Sequence, residues 1–202
     1  MLDDAEFYRW YGPWTPPSPV GVASLLAGLP VRWWIVGGWT IEAFTGVERE
    51  HEDIDVSILR SDLAGLLSHV GSSLCVWTNV AGSIRPLRSA SDLPDECRQL
   101  WVRRDGSSPW LFDLLLTPHE GSTWLCIRDH AVRLPMAGVL FEHDGITYQR
   151  PEITLLLKAH LDREKDRADL AVTLPLLEPS RRSWLRKTLE QLQPGHPWLA
   201  EI

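Results

Sequence analysis

No stretch of 18 or more apolar residues occurs in this sequence, which excludes a membrane-spanning helix. The opening MLDDAEFYRW is acidic where a signal peptide is basic, and it has no continuous apolar segment, so a cytoplasmic, soluble protein without a membrane partner is expected. Cysteine is scarce: Cys75, Cys97 and Cys126 are odd in number, widely spaced and free of any Cys-x-x-Cys pair, which excludes a disulfide framework and a zinc-ribbon site. Positive charge is in deficit as well. Twenty basic against 27 acidic side chains leave a net charge of −7, which argues against broad nucleic-acid binding, because such affinity comes mostly from neutralised phosphates. Internal repeats and low-complexity tracts are missing too. What remains is an ordinary globular composition, 44% apolar and 23% charged over 202 residues, enough for one domain or one domain with a helical appendage. The 11 tryptophans read as core and edge fillers.

Along the chain, a short acidic helix is followed by a proline-rich break (Pro13, Pro16, Pro17, Pro19) and a second helix over Val20 to Leu29, ended by Pro30. Val31 to Val36 is an apolar, β-branched and aromatic run halted by Gly37–Gly38, the pattern of a strand aimed at a glycine turn. Trp39 to Phe44 reads as a short helix closing at Gly46, and Ile54 to Leu59 alternates like a second strand. Ser61 is expected to cap a helix running to about His69. Further strands are expected at Leu74 to Val80, Gln99 to Arg103, Trp110 to Leu116 and Trp124 to Arg128, with Gly82 to Cys97 as loop and Asp144–Gly145 as a hairpin turn. From Pro151 the texture is helical: Ile153 to Leu161, Ala168 to Leu177 and Trp184 to Leu192. The division predicted is a mixed α+β domain over 1–150, with the N-terminal helices, and a C-terminal helical region over 151–202.

The informative segment joins Gly37–Gly38 to His51–Glu52–Asp53–Ile54–Asp55–Val56. Strand side chains alternate, so Asp53 and Asp55 project from one face. Two carboxylates in one site repel, and a divalent cation removes the conflict; hard oxygen ligands favour Mg²⁺ or Mn²⁺, which keep positions open for phosphates. Glycines without Cβ atoms let backbone N–H groups approach a phosphate, and the helix that follows points its positive end the same way. A third carboxylate should come from a neighbouring strand. Asp113 is the candidate, because in Trp110–Leu111–Phe112–Asp113–Leu114–Leu115–Leu116 it is an isolated charge in an apolar strand, costly without a partner. The competing reading pairs Asp113 with an arginine such as Arg103.

The string Trp34–Ile35–Val36–Gly37–Gly38–Trp39 through Arg49–Glu50–His51–Glu52–Asp53–Ile54–Asp55–Val56 resembles the nucleotidyltransferase superfamily with the polymerase-β-like palm. Within it, Arg150–Pro151–Glu152–Ile153 to Lys158, then Arg163–Glu164–Lys165–Asp166 and Asp169, is similar to the C-terminal signature of the aminoglycoside 2''-adenylyltransferase and lincosamide nucleotidyltransferase group. The resemblance spans roughly residues 30 to 175. It implies an α+β palm, a mixed sheet flanked by helices, with a C-terminal helical segment. It also implies that Gly37 and Gly38 hold a nucleoside triphosphate, most simply ATP, that Asp53 and Asp55 ligate Mg²⁺, and that Asp113 is the third carboxylate, a metal ligand or a base for an acceptor hydroxyl. Lys158 would face the phosphates and Lys165 assist.

Each of these has a plainer reading. Trp39 either stacks on the base or braces the glycine turn; Lys158 is otherwise a helix lysine with its head in water. His51 is either a phosphate contact or an exposed turn residue, and Asp166 and Asp169 organise Arg163 or Lys165 through helix-face ion pairs. The activity expected is transfer of a nucleoside monophosphate to a small hydroxylated, aminoglycoside-like acceptor, for which the acidic surplus suits a polycation. Two alternatives stand beside it: a toxin-like member that nucleotidylates RNA or protein, with a basic channel around Arg85, Arg88, Arg103 and Arg104, and a non-catalytic nucleotide-binding module.

Overall fold

The computed structural model describes residues 4–71 and 73–202. In chain order its elements are α1 (Asp4–Tyr11), α2 (Pro19–Leu25), β1 (Trp33–Val36), α3 (Gly38–Thr45), β2 (Asp55–Leu59), α4 (Leu63–Val70), β3 (Cys75–Val80), β4 (Ser83–Pro86), β5 (Gln99–Arg103), β6 (Trp110–Thr117), β7 (His119–Glu120), β8 (Thr123–Leu125), β9 (Arg133–Pro135), β10 (Leu140–His143), β11 (Ile146–Gln149), α5 (Pro151–Lys158), α6 (Glu164–Thr173) and α7 (Pro179–Leu192). Two compact units are formed, one from residues 1–33 and 51–117, the other from 34–50 and 118–202. Among the described residues no helix is long and apolar enough to cross a membrane.

The first unit carries a mixed sheet in the order β2-β6-β5-β3-β4. Strands β2 and β6 run parallel, with Asp55 beside Asp113 and Val56 beside Leu114; β6 with β5, β5 with β3, and β3 with β4 are antiparallel. Alternation sorts the side chains into two faces. One is apolar: Val56, Leu114 and Leu100 stand in a cross-strand row, and Phe112, Val102 and Val76 in the next, all buried. Helix α4 contributes Leu63, Leu66 and Val70 to the buried set and α2 contributes Val22. The opposite face bears the chemistry, with the row Asp55–Asp113–Trp101–Trp77 beside Ser57–Leu115–Gln99–Asn79.

The N-terminal segment is tied to this sheet. Thr15 N donates to Trp110 O (2.9 Å), Trp110 N to Pro13 O (3.0 Å), and the Trp110 indole N–H to Tyr11 O (2.7 Å). The proline-rich stretch read as a break is therefore a docked strand-like segment, its prolines sitting where no ladder donor is needed.

In the second unit β1 runs parallel to β11, with Ile35 beside Tyr148, and β11 forms a hairpin with β10 across Asp144 (φ 50°) and Gly145 (φ 74°). Strands β7, β8 and β9 make a separate small antiparallel sheet. Helices α5, α6 and α7 close on a core of Leu155, Leu156, Leu170, Leu185, Leu189 and Trp198, which takes in Ile41 of α3.

Several expectations are corrected. Gly82 to Cys97 is not all loop: β4 returns antiparallel to β3 through Ala81 (φ 49°) and Gly82 (φ 81°), a tight turn hidden by an alanine in a left-handed position. Ser61 does not cap α4; it lies in a 3₁₀ turn, Arg60–Asp62, from which the helix grows without a side-chain cap. Helix α6 begins at Glu164 rather than Ala168, because the Asp166 carboxylate accepts the Arg163 backbone N–H (3.1 Å) and starts the helix early. Helix α7 begins at Pro179, where proline suits the first turn. The strand expected over Trp124 to Arg128 is confined to Thr123–Leu125.

Candidate active site

Asp55 opens β2 and Asp113 stands beside it on β6, with Asp113 N donating to Ile54 O at 3.1 Å. Asp53, exposed, immediately precedes β2. The sequence places these carboxylates together because Ile54, Val56 and Ile58 are fully buried on the apolar face, which turns the intervening residues to the other side.

Asp113 is only 8% exposed, and its Oδ1 makes no hydrogen bond. Burial drives its carboxyl well above the usual carboxylate range, and the charges of Asp55 and then Asp53 push the same way; Gln99 and Trp101 on β5 offset part of this. Arg103 does not pair with Asp113. Its guanidinium lies between two indoles, 4.3 Å from the Trp77 ring centre and 4.1 Å from that of Trp110, so stacking rather than ion pairing accounts for it.

Among the described residues no group of three or more His, Cys, Asp or Glu side chains is drawn together closely enough to hold a metal ion. Asp55 and Asp113 are cross-strand neighbours and Asp53 lies two residues ahead of Asp55, three carboxylates whose oxygens are hard donors. That donor chemistry fits Mg²⁺ or Mn²⁺, ions that retain waters and substrate oxygens and do not require an all-protein cage.

The glycine turn is in the second unit. Gly37 takes φ 72°, ψ −146°, a conformation closed to residues with a Cβ, and from Gly38 the chain enters α3. Thr40 Oγ1 donates to Ile35 O (3.2 Å), closing the strand-to-helix turn from inside. Trp39 is half-buried in the first turn of α3.

The C-terminal helices hold a second set of carboxylates. Lys158 Nζ lies 3.1 Å from Asp166 Oδ1 and 3.0 Å from Asp169 Oδ2, and its ammonium is nearly buried. Asp166 also accepts from Arg163 Nε (2.8 Å), and Asp169 from Arg49 Nε (3.2 Å). Asp166 and Asp169 thus bind Lys158 and Arg49 in addition to the expected Arg163, partners that sequence spacing along one helix face could not reveal. Lys165 is exposed on α6. Gln99 and Trp101 were also unmarked by the sequence; the available signal was their shared alternation with Arg103 in Gln99–Arg103.

Residues 20–95 match the family model described as aminoglycoside-2''-adenylyltransferase. Among solved structures, the chain is similar to ANT(2'')-Ia in complex with adenylyl-2''-tobramycin, at TM-score 0.53 and 14% identity over 84% of this chain and 93% of that one. A solution structure of ANT(2'')-Ia, an antibiotic-resistance factor, gives TM-score 0.52 and 16% identity over 84% and 88%. The lincosamide antibiotic adenylyltransferase LnuA, lincomycin-bound, gives TM-score 0.51 and 16% identity over 75% and 90%. Among curated proteins nothing matches. The resemblance read from the residues is borne out: the stretch holding Gly37, Gly38, Asp53 and Asp55 matches the aminoglycoside 2''-adenylyltransferase family, and the chain has the polymerase-β-like nucleotidyltransferase fold.

Proposed function

We propose that this protein is a Mg²⁺- or Mn²⁺-dependent adenylyltransferase that moves AMP from ATP to a hydroxyl of a small molecule of the aminoglycoside or lincosamide kind. The observation that carries the reading is Asp113, buried beside Asp55 on parallel strands with an oxygen that no protein group satisfies.

Asp53, Asp55 and Asp113 would hold the divalent ion, which when bound supplies Lewis-acid polarisation of the phosphate and the acceptor oxygen. The rest of the chemistry belongs to the chain. Asp113 receives the proton of the acceptor hydroxyl. The hydroxyl oxygen attacks the α-phosphorus in line and pyrophosphate leaves. In this reading the Gly37–Gly38 turn and the first turn of α3 bind the triphosphate through backbone N–H groups, Trp39 bears on the nucleotide, and Lys158 and Lys165 offset charge building on the leaving group. Lys158 already shares its ammonium between Asp166 and Asp169, which compensates part of the charge it would offer a phosphate. The capture of Arg103 between Trp77 and Trp110 removes one cation from the basic channel that an RNA substrate would need.

The test is pyrophosphate release from ATP with aminoglycoside and lincosamide acceptors. Asp55→Asn and Asp113→Asn are each expected to lower kcat by on the order of 10³ or more, with the protein still folded. Wild-type rates in either variant would remove the proposed mechanism.

A further inference from the structure

On the face of the first unit's sheet that carries Asp55 and Asp113 lies an open hollow of about 440 Å³, lined by Phe7, Tyr11, Asn79, Ala81, Gly82, Gln99 and Trp101. Two of its walls, Gln99 and Trp101, are the same side chains that border Asp113. Along the sheet order β2-β6-β5-β3, Asp113 therefore stands between this hollow and Asp55. The hollow adjoins the carboxylate assigned as base, on the side away from the Asp-x-Asp pair. Asp113 Oδ1 and the Trp101 indole N–H, on neighbouring strands at this border, are both fully buried.

We infer that this hollow seats the acceptor, and that the acceptor's reactive hydroxyl belongs to an uncharged ring with an apolar face; the inference rests on the adenylyltransferase reading above. The lining contains no charged side chain. It offers three aromatic rings, with Trp101 edge-on to Phe7 (6.1 Å between centres) and to Tyr11 (5.8 Å), and the side-chain amides of Asn79 and Gln99. Rings with a negative face attract the C–H face of a sugar or an arene, and amides serve hydroxyls; a polyamine would find no carboxylate among them. The hollow is also braced in place. Tyr11 Oη donates to Gly82 O (3.1 Å), so α1 is fastened to the β3–β4 turn across its mouth, and Gly82 N donates to Asn79 Oδ1 (3.2 Å). Filling it costs little reorganisation.

Phenyl β-D-glucopyranoside, uncharged, and kanamycin, a polyamino sugar, serve as probes against the full chain in saturation-transfer difference NMR. Transfer to the glucoside ring protons is expected to be strong in the wild type and to fall about fivefold in Phe7→Leu/Tyr11→Leu, while ATP binding by calorimetry is unchanged. Phe7→Leu alone, made on the partly exposed helix α1, repeats the measurement should the double variant not fold. Absence of transfer to the glucoside, transfer that survives the ring substitutions, stronger transfer to kanamycin, or loss of ATP binding instead would each overturn the assignment, the last by making the hollow a nucleobase site. Failure of the underlying reading shows up elsewhere: full pyrophosphate release by Asp113→Asn would sink the chemistry and leave the NMR result standing.

Discussion

Two sets of buried carboxylates in this molecule have opposite fates. Asp166, at 0% exposure, is saturated: Lys158, the Arg163 guanidinium and the Arg163 backbone N–H all donate to it. Burial alone would raise its pKa, but the hydrogen bonds of Arg163 and Lys158 outweigh that and hold it at about 2. Asp113, almost as buried, has an unsatisfied oxygen and two carboxylate neighbours, and its pKa goes up. The difference is one of supply. The C-terminal helices bring cations from three places in the chain to their aspartates; the sheet face sets two further acids and two neutral donors, Gln99 and Trp101, around Asp113. A carboxylate already matched by cations of its own protein holds the fold together, whereas one without them is, under the proposed function, the one that engages an arriving ion or substrate.

The largest test of this contrast is Asp166→Ala. It removes the carboxylate that Arg163 and the start of α6 bind and leaves Lys158 with Asp169 beside a cavity, and the loss of this buried partner should cost about 3 kcal/mol in urea unfolding. A cost near that of a surface substitution would mean that the helical cluster is ornamental and that the contrast fails. Acid sharpens the same point. Because the folded pKa of Asp166 is depressed to about 2, its contribution is complete above the ordinary carboxyl pKa and drains away as pH falls towards about 2. Wild-type stability should therefore drop across that window, and Asp166→Ala should not share this part of the drop.

The same contrast explains what could be read from the residues. Gly37–Gly38 and Asp53-x-Asp55 were legible because each motif is local: a Cβ-free turn and a two-residue pleat repeat need no knowledge of the rest of the chain. Asp113 was legible by its incongruity, a lone charge within Leu, Phe and Trp, and strand order then placed it beside Asp55. The partners of Asp169 were not legible, since Arg49 lies 120 residues away and nothing in either neighbourhood announces the pair. The aromatic hollow was hidden for the same reason: Phe7 and Tyr11 reach Trp101 only because Pro13 to Thr15 dock alongside β6, and proline-rich spacing reads locally as a break.

Of intermediate size is the effect of Asp113→Asn on stability rather than turnover. With its folded pKa raised, Asp113 adds to stability only while protonated; that contribution is whole below the ordinary carboxyl pKa and is lost as pH rises through the elevated value. In chelator the Asn variant should thus be more stable than the wild type at neutral pH, by about 1 kcal/mol, and equal to it at acid pH. A variant less stable than wild type at neutral pH would show that Asp113 is a matched, structural acid after all.

The smallest effect tests how redundant the saturation is. Arg49 is about a quarter exposed, and Asp169 keeps Lys158 at 3.0 Å when the guanidinium is gone. Arg49→Gln should cost only about 0.5 kcal/mol, with much of that difference vanishing in high salt, because a half-open pair is screened while the buried Lys158–Asp166 contact is not. Urea unfolding at low and high salt separates the two cases. A salt-independent cost as large as that of Asp166→Ala would mean that Asp169 has a single indispensable cation, so that the helical carboxylates are as narrowly balanced as Asp113 and the molecule has one kind of buried acid rather than two.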